Sequence, residues 1–167
     1  MTRQTSPLYE IDPEGGYLFV RRATRKEILD LASHILKSRM RRSSTLLNPN
    51  EAKLYLSLQL GDLEREVFCC IFLDNRHRVI AFEKLFLGTI DGASVHPREV
   101  VKAALKCNAA AVIFAHNHPS GIAEPSRADE GLTRQLKDAL ALVSIRVLDH
   151  IIVAGTETVS LAERGLL

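Results

Sequence analysis

The apolar positions of this chain change rhythm along its length, and the order of those rhythms sets the expected architecture. Ile28, Leu31, Ala32, Ile35 and Leu36 recur at helical spacing. Thr24 followed by Glu27 has the capping-box spacing, so a helix is expected to open there. Residues 43–50 (SSTLLNPN) break the pattern and read as a linker, and a second helix is expected over about Pro49–Leu60, ahead of Gly61-Asp62. The rhythm then shifts. Residues 66–73 and 79–87 are rich in Val, Phe, Cys, Ile and Leu, and Asp74-Asn75-Arg76-His77 separates them, which predicts a β-hairpin. Pro97 suits the first position of a helix carrying Val100, Val101, Ala104 and Leu105, with Asn108 as its stop. Residues 109–115 (AAAVIFA) form a continuous apolar run, as in a strand covered on both faces. A helix over about 126–142, a buried strand at 146–154 and a short strand near Val159 complete the order. Helix, hairpin, helix, strand, helix, strand implies an α/β (α+β) fold with a mixed sheet flanked by helices. Residues 1–23 carry Pro7, Pro13 and Gly15-Gly16 without clear periodicity, and read as an arm with a loosely attached strand at 17–20.

Composition narrows the class. A chain of 167 residues fits one domain with a short additional element. At that length about two-thirds of the unfolded surface is buried, so neither disulfide nor metal is needed merely to fold. Apolar residues at 46% and charged residues at 25% are ordinary for a globular protein. No apolar run approaches the roughly 20 residues of a membrane-spanning helix, and the N-terminus lacks the apolar core of a secretory signal. A cytoplasmic protein is expected. Cys69, Cys70 and Cys107 include no C-x-x-C pair and fit buried reduced thiols, with Cys69 and Cys70 on opposite faces of their strand.

Charge changes the picture little. The net charge is +2, but residues 1–50 hold nine Lys/Arg against five Asp/Glu. Lys37, Arg39, Arg41 and Arg42 form most of that excess. They suit a solvated helix C-terminus, where cations complement the dipole, and they also offer contacts for phosphates. No aromatic residues interleave with them as a single-strand platform requires.

The chemistry concentrates in His116-Asn117-His118-Pro119-Ser120-Gly121, with Ser126 and Asp129 beyond. This segment is expected to follow the apolar strand directly and to run into the next helix, where ligand sites of open α/β sheets form. Histidines at i and i+2 of extended chain project to one side. Pro119 and Gly121 turn the chain so that Asp129, in the first turn of the helix, can approach both. Two imidazoles and one carboxylate leave a position open for water, the composition of a catalytic zinc site. A water there becomes a nucleophile near neutral pH. The same residues have plainer uses. A lone His-x-His pair suits the surface or the core, and Ser126 with Asp129 suits a helix cap. His150 is expected to satisfy backbone groups, and His96 to neighbour a helix N-cap.

His-x-His, ten intervening residues and Asp, with Ser three residues before the Asp, matches the signature of the JAMM metalloproteases. The fuller string HNHPSG…PS..D, preceded by VHPREVVKAALKCNAAAVIFA and followed by LDHIIVAG, resembles the RadC branch of that superfamily over about residues 44–167. The resemblance implies an MPN/JAMM fold, a three-layer arrangement like that of cytidine deaminases, over 44–167. Residues 1–43 then form an N-terminal arm and helix. The short N-terminus is similar to the compact stand-alone members, which lack the helix-hairpin-helix-like region of full-length RadC proteins. The resemblance further implies Zn²⁺ on His116, His118 and Asp129, with Ser126 donating to the oxyanion. It calls for an upstream glutamate to move a proton from the attacking water to the leaving amine. Glu66, at the start of the first hairpin strand, is favoured for that role, and Glu83, within the second, is the rival. The implied activity is amide hydrolysis on a peptide or protein substrate. The alternative is a non-enzymatic RadC-like protein of DNA repair or recombination, with nucleic acid as partner. Contact with a membrane is not expected.

Overall fold

The computed structural model describes residues 8–42, 49–90 and 92–167, the side chains of 39–42 excepted. Most of the expected linker, and the side chains of Arg39, Arg41 and Arg42, therefore lie outside the described residues. Lys37, the remaining member of that basic run, is exposed.

Near the N-terminus, β1 (Tyr9–Ile11) and β2 (Tyr17–Phe19) pair antiparallel as a small ribbon. Helix α1 (Arg25–Arg42) follows, opened as expected: Thr24 Oγ1 accepts from the Glu27 amide, and the Glu27 carboxylate accepts from the Thr24 amide. Helix α2 (Pro49–Leu60) leads into the hairpin of β3 (Val67–Leu73) and β4 (Val79–Leu87). Then come α3 (Pro97–Lys106), β5 (Ala111–Asn117), α4 (Arg127–Ala141), β6 (Arg146–Ala154) and β7 (Glu157–Ser160).

The five long-range strands form one mixed sheet, ordered β4-β3-β5-β6-β7. Only β5 and β6 run parallel, joined across α4 in the way a parallel pair requires. Strands β3 and β5 are buried at every position, which explains their unbroken apolar sequence: both faces are covered. On one face Cys69, Ile71, Ala115 and Val153 pack with Tyr55, Leu56 and Leu60 of α2, and Leu36 of α1 joins them. On the other, Phe68, Cys70, Val112 and Phe114 pack against Val100 and Ala104 of α3 and Leu136 and Leu140 of α4. The molecule thus has the expected three layers, and Cys69 and Cys70 face opposite sides.

One expectation about the motif is corrected. His116 does not follow the strand; it belongs to β5, paired with Phe68 on one side and Ile152 on the other. The ladder continues because Asn117 is also paired, opposite Val153. The first histidine is thereby fixed by the sheet itself. Among the described residues, no helix is long and apolar enough to cross a membrane.

Candidate metal centre

Alternation along β5 decides which way each residue of the motif points. Ala111, Ile113 and Ala115 belong to the α2 side of the sheet, whereas Val112 and Phe114 face α3 and α4. His116 continues the second set and looks toward the N-terminus of α4. The chain leaves the sheet at His118, whose amide donates to the Val153 carbonyl at 2.8 Å. It then turns through Gly121, at φ of +80°, a left-handed backbone that favours glycine. Helix α4 begins with a reciprocal cap. Ser126 Oγ accepts from the Asp129 amide at 3.2 Å, and Asp129 Oδ2 accepts from the Ser126 amide at 2.7 Å and from its hydroxyl at 2.6 Å.

That turn brings the three expected ligands together. The Nε2 atoms of His116 and His118 are 3.0 Å apart, Asp129 Oδ1 lies 3.2 Å from His116 Nε2, and Oδ2 lies 3.6 Å from His118 Nε2. His116, His118 and Asp129 form a group that can hold a metal ion. Ligand bonds of about 2.0–2.1 Å in a tetrahedral site give ligand–ligand separations of roughly 3.3 Å, and the observed contacts bracket that value. The donor chemistry fits as well. His118 Nδ1 lies 2.8 Å from the Ile122 carbonyl, which can only accept, so Nδ1 carries the proton and Nε2 is turned to the cluster.

The charges respond to this crowding. Burial alone would raise the Asp129 carboxyl, but the facing imidazoles of His116 and His118 hold it well below the ordinary carboxylate range. The His118 imidazole is raised, chiefly by the facing Asp129 carboxylate, against the lowering effect of burial; the Ile122 carbonyl and the charge of Glu66 add to the rise. The cluster therefore favours positive charge between an anion and two imidazoles.

Around it lies a cavity of about 490 Å³. Glu66, His118, Ser126 and Asp129 line it together with apolar Ile90, Ala93, Val95 and Leu132. Glu66 immediately precedes β3, and its backbone is clamped to the end of β4: its amide donates to the Thr89 carbonyl and its carbonyl accepts from the Gly88 amide. Glu83 is elsewhere. It sits opposite Cys70 in the hairpin and lines a separate surface cavity with Glu99, Lys102 and Lys106.

Two neighbours of the cluster escaped the sequence reading. Asn117, pointing away from the histidines, accepts from the Val67 amide at 2.8 Å and donates to the carbonyls of Arg65 at 3.0 Å and Leu63 at 3.3 Å. It thus fixes the backbone on either side of Glu66. His150, expected to serve backbone groups, instead bonds side chains through both ring nitrogens: Nε2 meets His116 Nδ1 at 2.8 Å, and Nδ1 meets Thr133 Oγ1 at 2.6 Å. Its ring is fully buried, and burial pushes its basicity well below the ordinary imidazole value. The Asp-His pair at 149–150 was the available signal, but its partners come from another strand and from α4. His96 occupies the N-cap position of α3 without a side-chain cap bond and meets Phe86 edge-on.

Known proteins supply the remaining evidence. The profile of the RadC-like JAB domain matches residues 46–166. The chain is 60% identical over 145 residues to UPF0758 protein Tgr7_0100 of Thioalkalivibrio sulfidiphilus, covering 87% of this chain and 65% of that protein. It is 63% identical over 139 residues to a UPF0758 protein of Nitrosococcus oceani, covering 83% and 62%. A UPF0758 protein of Vibrio cholerae is 54% identical over 155 residues, which span 93% of this chain and 98% of the relative. The chain thus spans just under two-thirds of the first two relatives and nearly all of the third.

Proposed function

Starting from the chain's membership of the RadC-like JAB domain family, we propose that it is a zinc-dependent hydrolase of an amide bond, a metallopeptidase or isopeptidase. The observation that carries this reading is a three-ligand group beside one cavity, which His118 and Asp129 line together with Glu66 and Ser126. Two imidazoles and a carboxylate with an open side are the donor set of catalytic zinc rather than of a closed structural site. A zinc ion held by His116, His118 and Asp129 would supply an activated water and Lewis-acid polarisation of the substrate carbonyl.

The chain's own groups do the rest. Glu66, at the cavity wall, takes the proton of the attacking water and returns it to the leaving amine. Ser126 donates its hydroxyl to the oxygen that becomes anionic. In this structure that hydroxyl bonds Asp129 Oδ2, so the donor is held beside the site before substrate arrives. Ile90, Ala93, Val95 and Leu132 give the cavity an apolar wall suited to the residue beside the scissile bond. The nucleic-acid alternative gains nothing from this cavity, whose lining residues include neither Lys nor Arg.

The test combines metal analysis with hydrolysis. Protein purified under reducing, chelator-free conditions should carry stoichiometric zinc, lost in a His118→Ala, Asp129→Ala double variant. A peptide library followed by mass spectrometry should show metal-dependent cleavage. Glu66→Gln should keep the zinc and lose about 10²–10⁴ in rate, the usual contribution of a general acid–base group. A wild-type protein without zinc refutes the site. A Glu66→Gln variant cleaving at the wild-type rate removes Glu66 from the reaction.

A further inference from the structure

The pair His150–Thr133 stands behind the cluster, out of reach of solvent, and is not among the cation ligands. Both residues are fully buried. Thr133 lies one turn after Asp129 on the same face of α4, so its hydroxyl reaches the Asp129 carbonyl at 2.6 Å while also touching His150 Nδ1 at 2.6 Å. Each of these short contacts needs a proton between its heavy atoms. A threonine hydroxyl has one proton, and a carbonyl has none to give. The Thr133 proton therefore lies toward Asp129, and His150 Nδ1 supplies the other.

The next contact follows the same logic. His150 Nε2 and His116 Nδ1 are 2.8 Å apart and also need one proton. Among the described residues no carboxylate hydrogen-bonds the His150 ring, and an unpaired charge buried this deeply is too costly to hold. His150 is then neutral with its single proton on Nδ1, so Nε2 accepts and His116 Nδ1 donates. One direction runs through the whole chain: His116 to His150, His150 to Thr133, Thr133 to the Asp129 carbonyl. It ends on the backbone of a residue whose side chain belongs to the cluster.

We infer that His150 and Thr133 are positioning residues that hold a proton on His116 Nδ1, so that Nε2 is the nitrogen turned to a cation. They do so without contacting the cation or the substrate, as partners behind metal-bound histidines do elsewhere. The inference rests on the metal-site reading above, but its first readout does not.

That readout is the long-range ¹H–¹⁵N imidazole spectrum of the metal-free protein. His116 and His150 should both show a protonated Nδ1, and Thr133→Val should release His116 into a mixture of tautomers. A wild-type His116 found protonated on Nε2 alone overturns the inference, whether or not the protein binds zinc. The second readout is zinc affinity by competition with a chromophoric chelator. Thr133→Val, which keeps the side-chain shape, should weaken binding about 10–100-fold, and Thr133→Ser should restore it. His150→Gln places an acceptor near the old Nε2 position and should recover more affinity than His150→Asn, which does not. Melting curves of the metal-free variants separate unfolding from a tautomer effect. A folded Thr133→Val protein binding within about threefold of wild type overturns the lock. Absence of zinc from wild type would instead strike the proposed function, with the tautomer spectrum still deciding this inference.

Discussion

Removing the Asn117 carboxamide should unseat the backbone around Glu66, at a cost that the structure allows to be worked out. The side chain makes three hydrogen bonds across the start of β3: one from the buried Val67 amide at 2.8 Å, and two to the carbonyls of Arg65 at 3.0 Å and Leu63 at 3.3 Å. An intramolecular hydrogen bond contributes about 0.5–1.5 kcal/mol net, and the long bond to Leu63 belongs at the low end. Asn117→Ala should therefore lose about 3 kcal/mol. For a domain of this size, 1 kcal/mol shifts the melting temperature by about 2–4 °C, so a fall of roughly 6–12 °C is expected. Asn117→Asp sharpens the test. Its carboxylate can still accept from Val67, but it turns two donors into lone pairs facing carbonyls and places a charge in a buried position. At neutral pH Asn117→Asp should be no more stable than Asn117→Ala. It should gain relative to Asn117→Ala as the pH falls, because the protonated acid regains one donor and sheds its charge. Thermal and urea melts at pH 7 and pH 5 measure both effects. A fall below about 2 °C for Asn117→Ala, or an Asn117→Asp protein clearly more stable than Asn117→Ala at pH 7, would refute the reasoning.

Two further outcomes are expected away from the cluster. The Glu27 carboxyl is lowered to about 2, chiefly by its hydrogen bond from Arg21 and then by those from the Thr24 amide and hydroxyl. A depressed carboxyl stabilises the folded chain fully above its unfolded value and loses that contribution as pH falls through about 2. An NMR titration should find the low midpoint, and Arg21→Ala should move it up toward the ordinary glutamate range; an unmoved midpoint would remove Arg21 as the cause. Burial raises all three thiols, but Cys69 and Cys70 are wholly enclosed while Cys107 is partly exposed. Iodoacetamide with mass mapping should label Cys107 alone in the native protein, and equal labelling of Cys70 would contradict the closed α3–α4 face.

Much of this architecture was legible because the sequence states it locally. The apolar run of β5 declares a strand covered on both sides, and Thr24 with Glu27 declares a helix start. The candidate ligands were legible because an extended chain, a turn and a first helical turn bring residues 116, 118 and 129 together by short-range geometry alone. Other features depend on pairing that no local pattern encodes. His150 meets His116 only because β6 lies parallel to β5 in the register that places His150 beside Phe114. Asn117 reaches Val67 across fifty residues because β3 pairs with β5. Which hairpin glutamate shares a cavity with His118 likewise depends on where β3 begins: Glu66 lies just outside the ladder at the histidine end, whereas Glu83 sits midway along it. Strand β1 was missed because Tyr9–Ile11 carries a central glutamate and lacks the apolar run that marks residues 17–20.

The double engagement of Asp129 has a consequence for how such a chain can change over generations. The carboxylate that faces the two histidines is also the one that closes the cap of α4, and the next turn of that helix carries Thr133 and then Leu136 into the core. A substitution that abolished the cluster by replacing Asp129 would also loosen the start of the helix. Loss of the site by drift is therefore coupled to loss of stability. A descendant that abandons the chemistry can more readily give up His118, outside the ladder and partly exposed, than the aspartate. Relatives that have decayed should lose the second histidine first and keep the cap.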